Sequence, residues 1–255
     1  MRYRIWIILL CLLTAIPAAA GPRYGELVPW DKITVPFRDS LEAVFRKPDV
    51  QVTLKNIRYD TTPDTLDILL DELDLAGALW RVYQCRPPYR IRRIHDTLFD
   101  VQDRSYLKGT LEVIYAAEGH KVFYNRGIIR SRFLGSKYLT VNGTALVVVQ
   151  YVSVEEGVRG IVHVYAKIDQ TLLGMAIHVL QPVLHGFIME QTQRTLQQAK
   201  QIVSDVTHRP AVVRYKLQTQ RPAGPMLTLF DQQFPGVADA IPTPLGPVQH
   251  TIPKQ

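Results

Sequence analysis

A chain of 255 residues, 47% hydrophobic and with a formal net charge of +7, is long enough for one substantial apolar core. The basic excess is modest and scattered. That excludes the concentrated footprint of a nucleic-acid-binding protein and leaves only weak attraction to anionic headgroups or envelope polymers. Of the two cysteines, Cys11 falls in the leader described next, so Cys85 stands alone and no intramolecular disulfide is expected to support the fold.

Residues 1–20 read as a secretory signal peptide. Arg2 and Arg4 precede the apolar run Ile5–Leu13, and Pro17-Ala18-Ala19-Ala20 ends in the small-x-small pattern cut after Ala20. The run falls short of the ~20 residues a membrane-spanning helix needs. Leu10 stands where lipoprotein processing at Cys11 requires a small residue, which excludes lipidation. The periplasm of a Gram-negative cell is the expected location. Secretion from a eukaryote stays open, because Asn142-Gly143-Thr144 is formally a glycosylation sequon.

Residues 21–47 form an N-terminal segment with a short helix over Ser40–Arg46. Val50, Val52, Leu54 and Ile57 then predict a strand with one irregularity. A helix start follows in Thr61-Thr62-Pro63-Asp64: a threonine cap, proline in the first turn, and an aspartate at the positive helix end. One helix is expected through Leu66, Leu69, Leu70, Leu73, Ala76, Leu79 and Trp80, with Asp67, Asp71, Glu72 and Asp74 on its wet side, until Pro87-Pro88 blocks continuation.

From Tyr89 to Ile168 the period changes to two. Strands are predicted at Tyr89–His95, Leu98–Gln102, Leu107–Ala117, Lys121–Ile129, Tyr138–Val141, Thr144–Val154 and Val158–Ile168. In the last, Val158, Val162, Val164, Ala166 and Ile168 share one face, and Arg159, His163, Tyr165 and Lys167 share the other, solvated one. Turns at Glu118-Gly119 and Glu155-Glu156-Gly157 are short, which requires antiparallel neighbours. Asn142-Gly143 reads either as a turn or as a bulge within one long strand.

Helical spacing returns with Gln170–Leu180, is interrupted at Pro182, and continues through Val183–Thr207. Residues 208–255 hold eight prolines and few charges, the composition of an extended or disordered tail, with Val212–Leu217 as a candidate edge strand.

Strand, capped helix, antiparallel ladder and long terminal helix make an α+β fold of the helix-grip kind: a curved antiparallel β-sheet packed against a long C-terminal helix. Val52-Thr53-Leu54 leading into Thr61-Thr62-Pro63-Asp64-Thr65-Leu66-Asp67-Ile68-Leu69-Leu70-Asp71, then Trp80, the ladder, and Pro182 at the final helix carry the likeness. Over residues 48–207 the chain resembles the START-like superfamily of polyketide cyclases, Bet v 1 allergens and lipid-transfer START domains. The resemblance implies an apolar ligand held between the sheet and the final helix.

Leu111, Val113, Tyr115, Val162 and Val164 would line such a cavity, faced by Leu184 and Phe187; equally, these residues would fill a solid core. Tyr115, Tyr151 and His163 are candidate polar anchors. The seven histidines show no metal-ligand spacing and no nucleophile sits in a recognisable setting; Arg86 beside Cys85 could lower its pKa, but next to Pro87-Pro88 at a helix end Cys85 reads first as a half-buried packing residue. No cofactor, metal or catalytic residue is therefore assigned. Arg90, Arg92, Arg93, Arg126, Arg130 and Arg132 cluster near strand ends, as a charged sheet edge or as contacts to phosphate headgroups in a transient membrane-surface encounter.

The leading expectation is an exported, non-catalytic protein that binds or transfers a lipid or isoprenoid. The alternatives are an envelope interaction protein with a solid core and a partner-docking proline-rich tail, or a cyclase- or hydrolase-type enzyme on the same scaffold. Nothing in the sequence specifies an oligomeric state.

Overall fold

The computed structural model describes residues 27–103, 107–132, 138–168, 177–219 and 224–237. The chain falls into two compact units, Met1–Thr34 and Val35–Gln255. The described part of the first contains a 3₁₀ turn, Trp30–Lys32.

The second unit runs α1 (Arg38–Arg46), β1 (Val50–Tyr59), α2 (Pro63–Asp71), α3 (Leu73–Val82), β2 (Arg90–Arg93), β3 (Leu98–Gln102), β4 (Leu107–Ala117), β5 (His120–Arg132), β6 (Tyr138–Val154), β7 (Gly157–Ile168), α4 (Ile177–His208), α5 (Pro210–Gln218) and α6 (Gly224–Gln233). Its seven strands form one antiparallel sheet in the order β1-β7-β6-β5-β4-β3-β2. The first strand closes against the last, and α4 lies along β1. This is the expected helix-grip arrangement: a curved open sheet with a long C-terminal helix.

Local chemistry explains most boundaries. Thr62 caps α2 with its hydroxyl, accepting from the Thr65 N–H at 3.2 Å, and Pro63 occupies the first turn. Gly119 takes φ 68° in the β4–β5 turn, a left-handed conformation that costs glycine least. The irregularity expected in β1 is a register shift between Leu54 and Ile57. Gly109, Gly127 and Gly143 stand opposite one another across β4, β5 and β6. A Cβ at Gly127 would come within 2.8 Å of the Lys108 carbonyl oxygen, and one at Gly143 within 2.8 Å of that of Lys167. Only glycine permits strands to approach so closely along that row.

Several expectations are corrected. The predicted single helix is two, because Glu72 leaves helical geometry at φ −98°, ψ 63°. Its N–H ends α2 on the Ile68 carbonyl and its C=O begins α3. β6 passes straight through Asn142-Gly143 in unbroken register with β5, so neither a turn nor a bulge forms there. α4 continues through Pro182 without interruption. The expected extended tail is folded over Pro210–Gln218 and Gly224–Gln233, and Val212–Leu217 belongs to a helix rather than an edge strand. Val213, Leu217, Phe230 and Val237 are buried in the main core, and apolar burial outweighs the proline-rich composition. Arg214 secures the α5–α6 pair by a bidentate bond to Asp231 at 2.8 and 3.0 Å.

Both faces of the sheet are covered, where one dry face was expected. α1 packs on the outer face of β6 and β7, with Phe45 against Tyr165 at 4.9 Å between ring centroids. Phe37 stacks on Tyr124 at 5.1 Å. Helices α2 to α4 cover the inner face. The C-terminal end of α4 is pinned by a Thr61–Thr207 hydroxyl bond of 2.6 Å, by His208–Asp60 at 2.9 Å, and by the Tyr83 hydroxyl donating to Asp205 at 2.8 Å.

Candidate ligand-binding site

Strand register assembles the inner face row by row. Val52, Val164, Val147, Phe123 and Val113 follow one another across β1, β7, β6, β5 and β4. The next row runs Val50, Ala166, Ala145, Asn125, Leu111 and Phe99. Val50, Val52 and Phe99 at the ends of these rows are buried, as are Phe123, Val162, Val164 and Ala166 within the face. Between them Leu111, Val113, Ala145, Val147 and Val149 are only partly buried. Across from them, Ile188, Met189, Leu196 and Ala199 of α4 are partly buried as well. Asn125 stands in this region, half-buried between Leu111 and Ala145, and its amide has no partner among the described residues.

One end of the inner face is polar. Lys121, 3% exposed, places its ammonium 2.9 Å from Asp67 and 2.7 Å from Asp71. The Tyr151 hydroxyl donates to Asp67 in a short bond. Burial, and then this bond, hold the phenol protonated far above its ordinary range. Beside this group Arg93 bridges Glu72 and Asp74 at 2.5 and 2.9 Å. The four carboxylates expected on a wet side thus pair with cations on β5 and β2, and of them Asp71 stays exposed. Periodicity could not reveal this, because the partners lie at least 19 residues away.

No family model and no curated protein matches this chain. Solved structures do. The di-domain ARO/CYC BexL of the BE-7585A biosynthetic pathway aligns at 13% identity with a TM-score of 0.41, over 65% of this chain and 54% of its own. This chain therefore spans about half the length of that protein. A conserved protein from Geobacillus kaustophilus aligns at 11% identity with a TM-score of 0.40, covering 62% of this chain and 95% of its own. A protein from Chromobacterium violaceum aligns at 10% identity and a TM-score of 0.33, over 61% and 98% respectively.

The seven residues named from sequence divide. Leu111, Val113, Val162 and Val164 share the inner face. Tyr115 does not. A register shift between Val113 and Tyr115 turns it to the outer side, opposite Val122 and edge-on to His120 at 5.2 Å. Phe187 is 37% exposed, and its neighbour Ile188 packs on the core instead. Leu184 lies within α4, and its side chain is outside the described residues.

One expectation about polar groups is also corrected. His163, expected in solvent, is 4% exposed on the outer face, with Nδ1 3.1 Å from the Thr53 hydroxyl and Nε2 unpartnered. Burial, with the charge of Lys55, lowers its pKa. Cys85 is a buried packing residue of the main core, and burial raises its pKa where Arg86 alone would have lowered it. Asn125 and Lys121 were missed. A polar residue at an inward position of an alternating strand was the signal available for both.

Proposed function

We propose that this protein is an exported START-like carrier that encloses an apolar ligand, a lipid or isoprenoid, between the inner face of the sheet and α4. The observation that carries the reading is the contrast within β6. Leu146 and Val148 are 0% exposed on the outer face, while Val147 and Val149, alternating with them, remain partly exposed beneath a helix. A filled core would bury all four alike. Partly exposed apolar walls on both sheet and helix are what a binding cleft presents to its ligand, with Asn125 as a polar anchor among them.

Desolvation would supply the affinity. Each methylene moved from water onto these walls contributes ~0.8 kcal/mol, so an acyl chain needs few polar contacts. The titratable groups on the inner side support carriage over catalysis. Lys121 is occupied by two carboxylates, and Tyr151 is held as a protonated donor to one of them. Export rests on residues 1–20, which lie outside the described residues. The α5 and α6 helices bind Pro210–Gln218 and Gly224–Gln233 into the fold, leaving less free chain for the docking role that the tail reading required.

Native mass spectrometry of the secreted chain, purified without detergent and followed by organic extraction, tests the reading. The expected result is a stoichiometric apolar adduct that Val147→Trp abolishes while the melting temperature holds. An apo mass that stays clean after incubation with envelope lipids would refute it.

A further inference from the structure

The chain turns from α3 into β2 over residues 83–89, and neighbouring groups hold this turn closely. The Cys85 N–H bonds the Trp80 carbonyl at 3.0 Å, and the Trp80 indole N–H donates to the Pro87 carbonyl at 2.7 Å. The Gln198 amide of α4 accepts from the Arg86 N–H at 2.7 Å and donates to the Arg86 carbonyl at 2.6 Å. The two arms of the turn lie side by side. A Cβ on Gly77 would come within 2.8 Å of the Ile91 Cβ, which sets the last turn of α3 against the start of β2. α5 reaches the same place, where the Lys216 ammonium lies 3.8 Å from the centroid of the Tyr83 ring.

Four cations gather here. Arg81, Arg86 and Arg90 are exposed, and Lys216 is partly so. None of the four is ion-paired with a carboxylate among the described residues. The nearby acids are engaged by other groups: Asp205 by Tyr83 and Arg209, Asp100 by Arg92, and Asp103 by the Leu107 N–H. Burial, and then the charge of Arg90, lower the Arg81 pKa, so these two guanidinium groups lie within reach of each other's field. Of the arginines grouped near strand ends in the sequence, Arg93 is instead spent on Glu72 and Asp74, and Arg126 lies over the rings of Tyr124 and Phe37.

Uncompensated like charges held on one turn repel one another, and an anionic surface laid against them relieves that repulsion. Each lysine or arginine near an anionic leaflet adds to the attraction, and no fixed pairing geometry is needed. Tyr83 and Tyr89 are partly exposed between the cations, and Tyr215, 55% exposed, adjoins Lys216. Such rings, apolar in body and polar at the tip, suit the headgroup layer of a membrane.

We propose that the α3–β2 turn, with the adjoining part of α5, docks this protein reversibly on an anionic lipid bilayer through Arg81, Arg86, Arg90 and Lys216. The docking surface goes beyond the carrier reading and does not depend on it, because a chain with no interior ligand would still bind the bilayer.

The test is flotation of the full chain with vesicles of phosphatidylcholine alone or of phosphatidylcholine and phosphatidylglycerol in equal parts. Wild type is compared with Arg81→Gln/Arg86→Gln/Arg90→Gln and with Lys47→Gln/Lys55→Gln/Arg159→Gln, which removes the same charge at the β1–β7 side of the sheet. Wild type should float with the anionic vesicles only, and added salt should release it. The turn variant should bind about tenfold or more weakly, and the control within about twofold of wild type, all at unchanged melting temperature. Should the triple variant fail to fold, Arg86→Glu repeats the comparison, since its backbone bonds to Gln198 are kept. Equal losses in the two triple variants would reduce the effect to net charge and overturn the proposal. So would an undiminished turn variant, or a wild type that ignores anionic vesicles or binds them regardless of salt. Capture by immobilised dextran sulfate without capture by vesicles would assign the turn to a soluble acidic polymer and likewise overturn it.

Discussion

The two faces of the central strands make an internal comparison, because alternate residues of the same strand sample different surroundings. On the outer face Val122, Leu146 and Val148 are 0% exposed and Tyr165 is 1% exposed, with α1 laid across β6 and β7. On the inner face Val147, Val149, Leu111 and Val113 stay partly exposed under more helical cover. The difference is not one of composition, since both faces are rich in valine and leucine. It lies in closeness of packing. A short helix packs flat on the outer face, whereas α4, pinned at its C-terminal end by Thr207 and His208, lies along β1 and leaves the middle strands partly open.

The largest expected effect is at the polar end of the inner face. Lys121→Ala leaves Asp67 and Asp71 facing each other without their cation, and should cost about 3–5 kcal/mol in urea unfolding. Lys121→Met, with a stem of similar length, tests whether the loss is of packing or of charge. Recovery of most of the stability would assign it to packing.

A matched pair then addresses the comparison itself. Val148→Ala removes two fully buried methyl groups and should cost about 2 kcal/mol, while Val147→Ala, one residue along, should cost less than about 1 kcal/mol without ligand. Equal losses would mean that the inner face is packed as closely as the outer.

The smallest effect is a pH slope on the outer face. Burial keeps the His163 pKa in the folded protein below its unfolded value, with Lys55 adding to the shift. The unfolded chain therefore takes up the proton first. Above the unfolded value, about 6.5, the native state loses nothing to this group. As pH falls below it, stability should decline, and the decline should end once the folded histidine titrates too. His163→Gln should flatten that part of the stability–pH curve, and an unchanged slope would place the titration elsewhere.

How much of this was legible depended on whether the deciding contact was local. The β3 and β4 limits, Leu98–Gln102 and Leu107–Ala117, are as the period-two pattern predicts, and so is the interruption between Leu54 and Ile57. The Thr62 cap was readable because its hydroxyl bonds a backbone N–H three residues away. Tyr115 was misplaced because one register shift in β4 reverses the facing of every later residue, and alternation alone cannot show it. The pairing of the acidic row was not legible because Lys121 and Arg93, its partners, arrive from other strands. Asn125 passed unnoticed in a pattern dominated by its apolar neighbours, although its position made it the polar member of the inner face.

The sequence by itself determined the order of elements, the antiparallel ladder and the terminal helix, because periodicity, caps and short turns act within a few residues. The tertiary structure alone decided which side chains share the inner face, which charges are spent on one another, and that Pro210–Gln218 and Gly224–Gln233 are helical rather than extended. Those outcomes depend on bulges and on partners far apart in the chain, and their energies exist only once packing has brought the partners together.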